Sequence, residues 1–572
     1  MALLTPFSTL PIKSTTLKYL FVLLVSLYTV LLVINPALGP SDEFAFLATL
    51  QSGAFFPMYG ADFPYYNSVE IGRFSPLGGQ EYNLVALFTN SPVGYFSLNA
   101  IELLLCAVLL IWLLRRYSIE PALAYLAGIL LLLTPGLVLA YFKLLAIEKN
   151  VLLLFLGFLG VYHLFQQRQK AVHFAITLLF ANAAIYYKEA AFSAIANLAA
   201  AHLILTWKTS TNRSRALDGL LIASAMLYLG IYLVTILPYT KGAYLPSAED
   251  YNFFIRAKNI ANYALSSDPI PIFILVPLLL WRLYQVYVRK MPAHPMLDPM
   301  LAAGAAYIGV FLVLNMYLPY YFLPAYAFIL PPAIYFLGNS EMRGVYWKAT
   351  FALVAVVMLL NAAPLAIHFI SYNKYVPINF NKTMDFLVED INRRYAGERL
   401  NIFYYGTDRE AGGATYFIAG EYLKFKGLSI RKFDFKSDRE AQAPVPIGNT
   451  HRYPLDKEED IRAVDPNGEY VNPGIPFSVF QPGPAQRIQR GDYLVLSPQS
   501  TAYFDQDTIE RIKKEFDLVF YTNSTFSIPR VDLKAFVKSY LYLRRSSESR
   551  ARNLIKNENI WNWPDYYVFV KR

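Results

Sequence analysis

The sequence contains repeated apolar runs that are long enough to cross a lipid bilayer, and they dominate its first two-thirds. A membrane-spanning helix needs about 20 apolar residues, because each residue adds about 1.5 Å and the hydrocarbon layer is about 30 Å thick. Only 16% of the 572 residues are charged, which is little for a water-soluble chain of this length. We therefore expect a polytopic α-helical membrane protein. About eleven spans are predicted, near residues 19–38, 95–114, 120–141, 150–165, 171–187, 190–207, 217–238, 269–287, 299–318, 320–337 and 349–371.

The basic residues between these predicted spans are distributed unequally on the two sides. One set of short loops carries fourteen Lys and Arg side chains and the other carries seven. Because Lys and Arg are enriched in cytoplasmic loops, the richer set is expected to be cytoplasmic. The N-terminus is then cytoplasmic, and eleven spans place the C-terminal region outside. The richer set consists of Lys13, Lys18, Arg115, Arg116, Arg168, Lys170, Lys208, Arg213, Arg215, Arg282, Arg289, Lys290, Arg343 and Lys348.

The pattern changes after residue 376, where short β-rich runs alternate with helical spacing. Such alternation predicts a small α/β domain with a mostly parallel sheet. We therefore expect a transmembrane domain at 1–371, which includes an outer loop at 39–94, and an extracytoplasmic domain at 372–572. Strands are predicted near 401–405, 431–435, 492–496, 518–521 and 566–570, helices near 383–395, 415–426 and 505–516, and a long loop at 436–490.

Several functional classes are disfavoured by composition. The net charge of +10 comes without a basic arm or zinc motif, and cytoplasmic loop charges explain it better than nucleic-acid binding does. A single cysteine, Cys106, excludes a disulfide framework and a Cys-based metal site within one chain. The glycine-containing segment 406–413 follows a predicted strand but lacks the G-x-G-x-x-G spacing, so an ordinary β–α turn is expected there.

An acidic pair, Asp42 and Glu43, directly follows the first predicted span. Ionisable groups at membrane depth are costly to bury, so they mark candidate functional positions. Ser41 could cap a helix here, and both carboxylates would favour the positive N-terminus of that helix. Together with the charges described next, the pair is nevertheless expected to contribute to a functional cleft.

Two further charged segments lie at the predicted outer ends of spans. Lys143 and Glu148 fall between spans three and four, where Glu148 suits either an interfacial charge pair or a functional carboxylate. Lys188 and Glu189 fall between two apolar helices with no loop residues of the Gly, Asn or Pro kind. Lys188 has little room to extend toward water, so its ammonium should meet a carboxylate or an anionic ligand.

Aromatic and charged residues in the remaining outer loops complete the candidate set. Tyr320 and Tyr321 belong to the predicted outer turn before span ten, where an aromatic interface belt is the alternative. Each remaining charge, taken alone, is expected to be a solvated loop charge. These are Asp62, Glu70, Arg73, Glu81, Glu102, Arg256 and Lys258.

A cleft with carboxylates and a lysine at headgroup depth suits sugar transfer from a lipid-linked sugar phosphate. A carboxylate would act as general base on the acceptor hydroxyl, and a basic residue would offset the charge that develops on the leaving phosphate. A nearby carboxylate can also stabilise an oxocarbenium-like sugar. No nucleotide is needed for this reaction.

The ordered motifs resemble the GT-C superfamily of polyprenyl-phosphate-sugar-dependent glycosyltransferases, which includes protein O-mannosyltransferases and the lipid A aminoarabinose transferase. The matching features are Asp42-Glu43 in the first outer loop, Glu148 at the start of the fourth span, the Tyr-Lys188-Glu189 turn after the fifth span, and the Tyr-Phe-Leu-Pro-Ala segment at 321–325. In layout the resemblance covers about residues 15–335.

The resemblance implies an inverting transfer with Asp42 or Glu43 as the base and Glu148 as a second base or acceptor contact. Lys188 would bind the donor phosphate. Tyr320-Tyr321 stand where relatives often have a basic residue, so Arg256 and Lys258 are substitute phosphate ligands. The implied substrate contacts are Arg73, Lys143, Glu189, Tyr320 and Tyr321.

The implied donor is a polyprenyl-phosphate sugar, and the acceptor is a glycan, a lipid or a protein. Some relatives use a divalent ion, for which Asp42, Glu43 and Glu148 offer oxygen ligands, and others use none. The expected location is a bacterial inner membrane. A lipid-linked glycan transporter or flippase, a polysaccharide polymerase or ligase, and a non-catalytic scaffold are the alternatives, although midplane charges and inverted repeats typical of transporters are not evident in the sequence.

Overall fold

The computed structural model divides the chain into two compact units, Met1–Asn35 with Phe56–Ala366, and Pro36–Phe55 with Ile367–Arg572. The predicted domain boundary at 371/372 stays a prediction. The structure describes residues 13–39, 43, 73–144, 146–240, 252–337, 345–405, 419–420, 422–423, 426–429, 431–437, 441–442, 469–472, 475–478, 486–498, 508–524 and 564–572.

The first unit is built from helices whose apolar side chains face one another or the bilayer. Its described α-helices are α1 (Ser14–Val33), α2 (Gln80–Ala86), α3 (Pro92–Arg116), α4 (Pro121–Leu132), α5 (Pro135–Phe142), α6 (Glu148–Arg168), α7 (Ala171–Tyr187), α8 (Ala191–Thr206), α9 (Asn212–Ile231), α10 (Phe253–Ser266), α11 (Val276–Leu283), α12 (Leu297–Val313), α13 (Tyr326–Leu337) and α14 (Val345–Val357). Short π-helical or 3₁₀ turns extend several of them, at Tyr232–Ile236, Leu237–Tyr239, Pro271–Leu275, Tyr284–Val288, Pro319–Ala325 and Met358–Ala362.

Six described helices are long and apolar enough to cross a membrane, and a bent pair would make a seventh. Three more apolar helices, α7, α8 and α12, have only 16 or 17 residues. At about 1.5 Å per residue such helices reach roughly 25 Å, short of the hydrocarbon thickness. An integral membrane protein is thus supported, whereas the count of about eleven spans stays a prediction. The long segments are Ser14–Val33, Pro92–Arg116, Glu148–Arg168, Asn212–Tyr239, Pro271–Val288 and Ala352–Arg394.

The predicted third span is broken rather than continuous. The α4 and α5 helices meet at an angle of 62°. Pro135 has no amide hydrogen and disfavours helical geometry at the preceding residue, so α4 ends before Thr134. The Thr134 hydroxyl then accepts the Leu137 amide at 3.4 Å and caps the new helix.

The second unit contains a long helix and a mixed sheet. Helix α15 (Ala363–Arg394) continues through the predicted end of the last span at 371 and includes most of the helix predicted at 383–395, so these are one helix rather than two. The five-stranded sheet has the order β2-β1-β7-β9-β8, with β1 parallel to β2 and β7, and β9 antiparallel to β7 and β8. Only half of its pairings are therefore parallel. Its strands are β1 (Leu400–Tyr405), β2 (Phe433–Ser437), β7 (Tyr493–Leu496), β8 (Phe516–Tyr521) and β9 (Tyr567–Lys571).

All five sheet strands lie where β-rich runs were predicted, because runs of β-branched and aromatic residues are local signals. Parts of the predicted loop at 436–490 form short strands. Segment 406–413 and most of the predicted helix at 415–426 lie outside the described residues. The short strands are β3 (Ala441–Gln442), β4 (Glu469–Asn472), β5 (Ile475–Ser478) and β6 (Gln486–Arg487), and α16 (Thr508–Lys513) precedes β8.

Candidate active site

Glu148 and Lys188 form a buried ion pair in the first unit. The Lys188 ammonium nitrogen lies 3.0 Å from Glu148 Oε1, and the two side chains are 5% and 2% exposed. Glu148 is the first residue of α6, and Lys188 directly follows α7, so two helix ends bring the charges together. The predicted encounter of Lys188 with a carboxylate is therefore confirmed.

The ion pair continues into a row of alternating charges. Glu189 Oε2 lies 3.8 Å from the Lys188 ammonium and 3.8 Å from an Arg73 guanidinium nitrogen. Burial raises the pKa of the Glu189 carboxyl, but Lys188, Arg73 and two backbone amides outweigh this effect and hold the pKa below its usual value. With Glu148, the row has two cations and two anions and is neutral overall.

Close backbone packing fixes the Arg73 segment against the Lys188 turn. The Leu77 amide donates to the Tyr186 carbonyl at 3.1 Å, and the Tyr228 hydroxyl donates to the Phe74 carbonyl at 2.6 Å. A Cβ atom added at Gly78 would lie 3.0 Å from the Tyr187 carbonyl oxygen, so a larger side chain would push the two segments apart. Arg73 is thus held beside the carboxylate that it pairs with.

An aromatic wall covers the Lys188 ammonium, which lies 5.3 Å from the ring centre of Tyr321. Tyr321 stacks on Phe311 with ring centres 5.0 Å apart and contacts the Tyr320 ring at 4.8 Å. The short 3₁₀ segment that carries both tyrosines packs on α5, where a Cβ at Gly136 would lie 2.5 Å from the Pro319 carbonyl oxygen. Glycine is therefore needed for this close approach.

A second buried network lies behind the first and was missed by sequence reasoning. The Lys149 side chain is fully buried, and its ammonium donates to the Tyr82 hydroxyl at 2.8 Å and to the Leu144 carbonyl at 2.7 Å. The carboxylates of Glu81 and Glu102 interact electrostatically with it. The expectation that Glu81 and Glu102 are solvated loop charges is wrong, because packing of α2 and α3 buries them. The position of Glu102 within an apolar run was the sequence signal that could have predicted its burial.

Hydrogen bonds and burial tie this second network to the helices around it. Asn150 donates to Glu102 at 2.6 Å, and Glu102 is 5% exposed. Burial raises the pKa of the Glu81 carboxyl, although neighbouring Tyr187 and Lys149 lower it in part. Because Lys149 follows Glu148 and Tyr187 precedes Lys188, the two networks share both helix ends.

The other predicted site residues are distributed elsewhere. Asp42 lies outside the described residues. Glu43 belongs to the second unit, where its buried carboxylate accepts the Gly39 amide at 3.0 Å. Lys143 is exposed at the end of α5, and Lys258 is exposed on α10. On α10 as well, Arg256 donates to the Val313 carbonyl at 3.1 Å.

The part of the chain that the structure describes has no group of three or more His, Cys, Asp or Glu residues that could hold a metal ion. The proposed ligand set of Asp42, Glu43 and Glu148 includes one residue outside that part. The cation that the structure places beside Glu148 is the Lys188 ammonium.

No protein-family model and no curated protein sequence matches the chain. Its structure is similar to that of an oligosaccharyltransferase of Archaeoglobus fulgidus, in complex with Zn and sulfate, with 13% identity, a TM-score of 0.41, and coverage of 96% of this chain and 88% of that one. It is also similar to ArnT from Cupriavidus metallidurans bound to undecaprenyl phosphate, with 12% identity, a TM-score of 0.43, and coverage of 89% and 97%.

Both similar structures are GT-C glycosyltransferases, the superfamily that the sequence motifs resemble.

Proposed function

We propose that the protein is a membrane glycosyltransferase that transfers a sugar from a polyprenyl-phosphate-linked donor to an acceptor hydroxyl, with inversion at the anomeric carbon. The observation that carries this proposal is the buried ion pair of Glu148 and Lys188 at the ends of two helices. This pair supports the proposal because a carboxylate can serve as a general base and an ammonium can bind a phosphate.

Lys188 is the proposed ligand of the donor phosphate. Its ammonium has three donors, and it is buried, so a charge-assisted bond to phosphate would be little weakened by water. Arg73, at the other end of the charge row, would add a second cation for the phosphate. Arg256 and Lys258 remain proposed contacts for more distant donor oxygens.

Glu148 is the proposed proton acceptor that lies next to this phosphate site. The acceptor oxygen would form a bond to the anomeric carbon while its proton passes to a carboxylate. The bond between that carbon and the phosphate oxygen breaks, and its electron pair stays on the phosphate, where Lys188 offsets the charge. Asp42 and Glu43, which the sequence resemblance suggests as bases, remain proposed partners in this step.

The aromatic wall supports the choice of a sugar as the transferred group. The Tyr321 ring lies against the Lys188 ammonium, and the partly exposed Tyr320 ring contacts Tyr321. Tyr320 is therefore the proposed ring on which an apolar sugar face packs. The distribution of loop charges supports an extracytoplasmic site and a C-terminal unit on the same side. The proposed location is a bacterial inner membrane, and the proposed acceptor is a glycan, a lipid or a protein.

The proposal is tested by transfer of radiolabelled sugar from a polyprenyl-phosphate donor in membranes that contain the full chain. Glu148→Gln and Lys188→Ala should each reduce transfer by about 100-fold or more, as expected for loss of a general base or of charge stabilisation. Lys170→Ala, at an exposed position between α6 and α7, is the matched control. Full activity in both site variants would reject the proposal.

The roles proposed for the acidic pair need separate variants. Asp42→Asn and Glu43→Gln should each abolish transfer if that residue is the base, whereas retained activity in both would leave Glu148 as the base. Loss of the Glu43 hydrogen bond to Gly39 also changes local structure, so folding of Glu43→Gln must be checked by thermal unfolding.

One buried cluster favours lipid-linked glycan transport as a second candidate function. Asp218 is fully buried, lies 2.7 Å from His202 Nδ1, and accepts the Tyr162 hydroxyl at 2.5 Å. Ionisable groups inside apolar helices also occur along transport pathways. Movement of a lipid-linked glycan across the membrane of vesicles that contain the protein but no acceptor would favour transport. Loss of this movement in Asp218→Asn would assign the transport role to this cluster.

A further inference from the structure

We infer that the donor phosphate and Glu148 compete for Lys188, so that binding of the donor releases the carboxylate that then accepts the proton of the acceptor. This inference rests on the proposed function and adds a regulatory role to its two central residues. The base would be withheld until the donor is in place.

The distances show which partner Lys188 must exchange. Its ammonium is 3.0 Å from Glu148 but 3.8 Å from Glu189, and the Tyr321 ring covers another side. A phosphate oxygen that reaches the ammonium at hydrogen-bond distance meets the Glu148 carboxylate as its nearest competitor. Because lysine carries one compact charge, it cannot bind both anions as strongly as either one alone.

The charge balance of the row favours this exchange. The described row of Arg73, Lys188, Glu148 and Glu189 is neutral before the donor binds. A phosphodiester adds one negative charge at a buried position, where repulsion between carboxylate and phosphate is poorly screened. Repulsion is relieved when one carboxylate moves away from the ammonium.

Glu148 is the carboxylate that moves, because Glu189 has other partners. Arg73 lies 3.8 Å from Glu189, and backbone amides of Glu189 and Phe74 also stabilise its carboxylate. Of the four charged residues in the row, Lys188 is the one that pairs with Glu148. Once phosphate has taken its place, the Glu148 oxygens are available to an acceptor hydroxyl.

Proton transfer then keeps the charge of the site constant. The acceptor loses its proton to Glu148, which becomes neutral, while breakage of the donor bond adds one negative charge to the phosphate. The neutral carboxyl no longer competes for Lys188, so the leaving phosphate stays paired during the reaction. Transfer of the proton from Glu148 to water restores the charge of the carboxylate, re-forms the ion pair and favours release of the lipid phosphate.

The test measures binding of a sugar-free polyprenyl phosphate to the purified full-length protein in lipid nanodiscs. Glu148→Gln removes the competitor, so affinity should increase about tenfold, which corresponds to the loss of one charge-assisted bond. Lys188→Met should weaken binding, and the double variant should show no gain over Lys188→Met. Glu120→Gln, exposed before α4, is the matched control and should bind like the wild type.

The outcomes separate this inference from the proposed function. Equal or weaker affinity of folded Glu148→Gln, with transfer present in the wild type, overturns the competition and leaves the transferase proposal intact. Absence of both binding and transfer in the wild type overturns the proposed function itself. If Glu148→Gln does not fold, Glu148→Asp provides the same comparison. Its shorter carboxylate should pair less well with Lys188, so the variant protein should bind polyprenyl phosphate more tightly than the wild type does.

Discussion

The Lys149 ammonium donates a hydrogen bond to the Tyr82 hydroxyl at 2.8 Å in the interior of the first unit. The same ammonium donates to the Leu144 carbonyl at 2.7 Å, and the Tyr82 hydroxyl also donates to that carbonyl. These bonds tie α2 to the connection that precedes α6. Since Glu148 is the next residue back along the chain, the Lys149 bonds fix the position of the proposed base.

Lys149→Met should destabilise the protein and misplace Glu148. The methionine fills a similar volume but leaves buried carbonyl and carboxylate oxygens without their cation, which typically costs about 3 kcal/mol. We expect a lower melting temperature of the purified protein and a lower kcat for sugar transfer, with less effect on donor affinity. Lys170→Met is the exposed control, and an unchanged melting temperature and kcat in Lys149→Met would contradict the positioning role.

Glu81→Gln should stabilise the protein near neutral pH. Burial raises the pKa of this carboxyl, so the folded state binds the proton more tightly than the unfolded state does. Such a group lowers stability as pH rises above its unfolded value of about 4.3, and glutamine removes that loss. Melting temperatures measured from pH 5 to pH 8 should show a difference between variant and wild type that grows with pH. A constant difference would contradict the assigned cause.

Glu189→Gln should destabilise the protein near neutral pH, which is the opposite of the effect expected for Glu81→Gln. Although burial raises the pKa of Glu189, its neighbours Lys188 and Arg73 bring the net pKa below the usual value. The carboxylate therefore contributes stability above the unfolded pKa of about 4.3, and this contribution is lost as pH falls through the lower folded pKa. Unfolding experiments should find the variant less stable than the wild type at pH 6, with the gap closing toward pH 3. A gap that persists in acid would argue against the ion pairs as its source.

Tyr326→Phe should destabilise the first unit by about 1–3 kcal/mol, the usual consequence of removing a partner from a buried acceptor. The Tyr326 hydroxyl lies 2.7 Å and 2.8 Å from the two oxygens of Asp268, and the Ile270 amide donates to the same carboxylate at 3.1 Å. Burial raises the pKa of Asp268 to about 6 despite these bonds.

The destabilisation of Tyr326→Phe should depend on pH. Loss of the hydroxyl raises the Asp268 pKa further, so stability is lost as pH rises from about 4 through the folded pKa, more steeply than in the wild type. Thermal unfolding at pH 5 and pH 8 should show the larger difference at pH 8. Tyr239→Phe, at an exposed position, is the control and should show no difference at either pH.

The local elements of the fold were predictable because their signals are local. Apolar runs mark the helices, runs of β-branched and aromatic residues mark the five sheet strands, and Pro135 explains the break in the third predicted span. The strand directions were harder to predict from the sequence. An extended segment pairs in either direction, and the choice for β9 depends on contacts with β7 and β8.

The sequence by itself determined that the chain is rich in membrane-length helices, that a sheet follows them, and that Glu148 and Lys188 are charges in need of a partner. Only the tertiary structure decided that these two form one ion pair, while the adjacent Lys149 turns away toward Tyr82. Neighbours on a helix point about 100° apart, so sequence adjacency says little about shared surroundings. The burial of a charge depends on which distant segments pack around it, and that information is absent from any local pattern of residues.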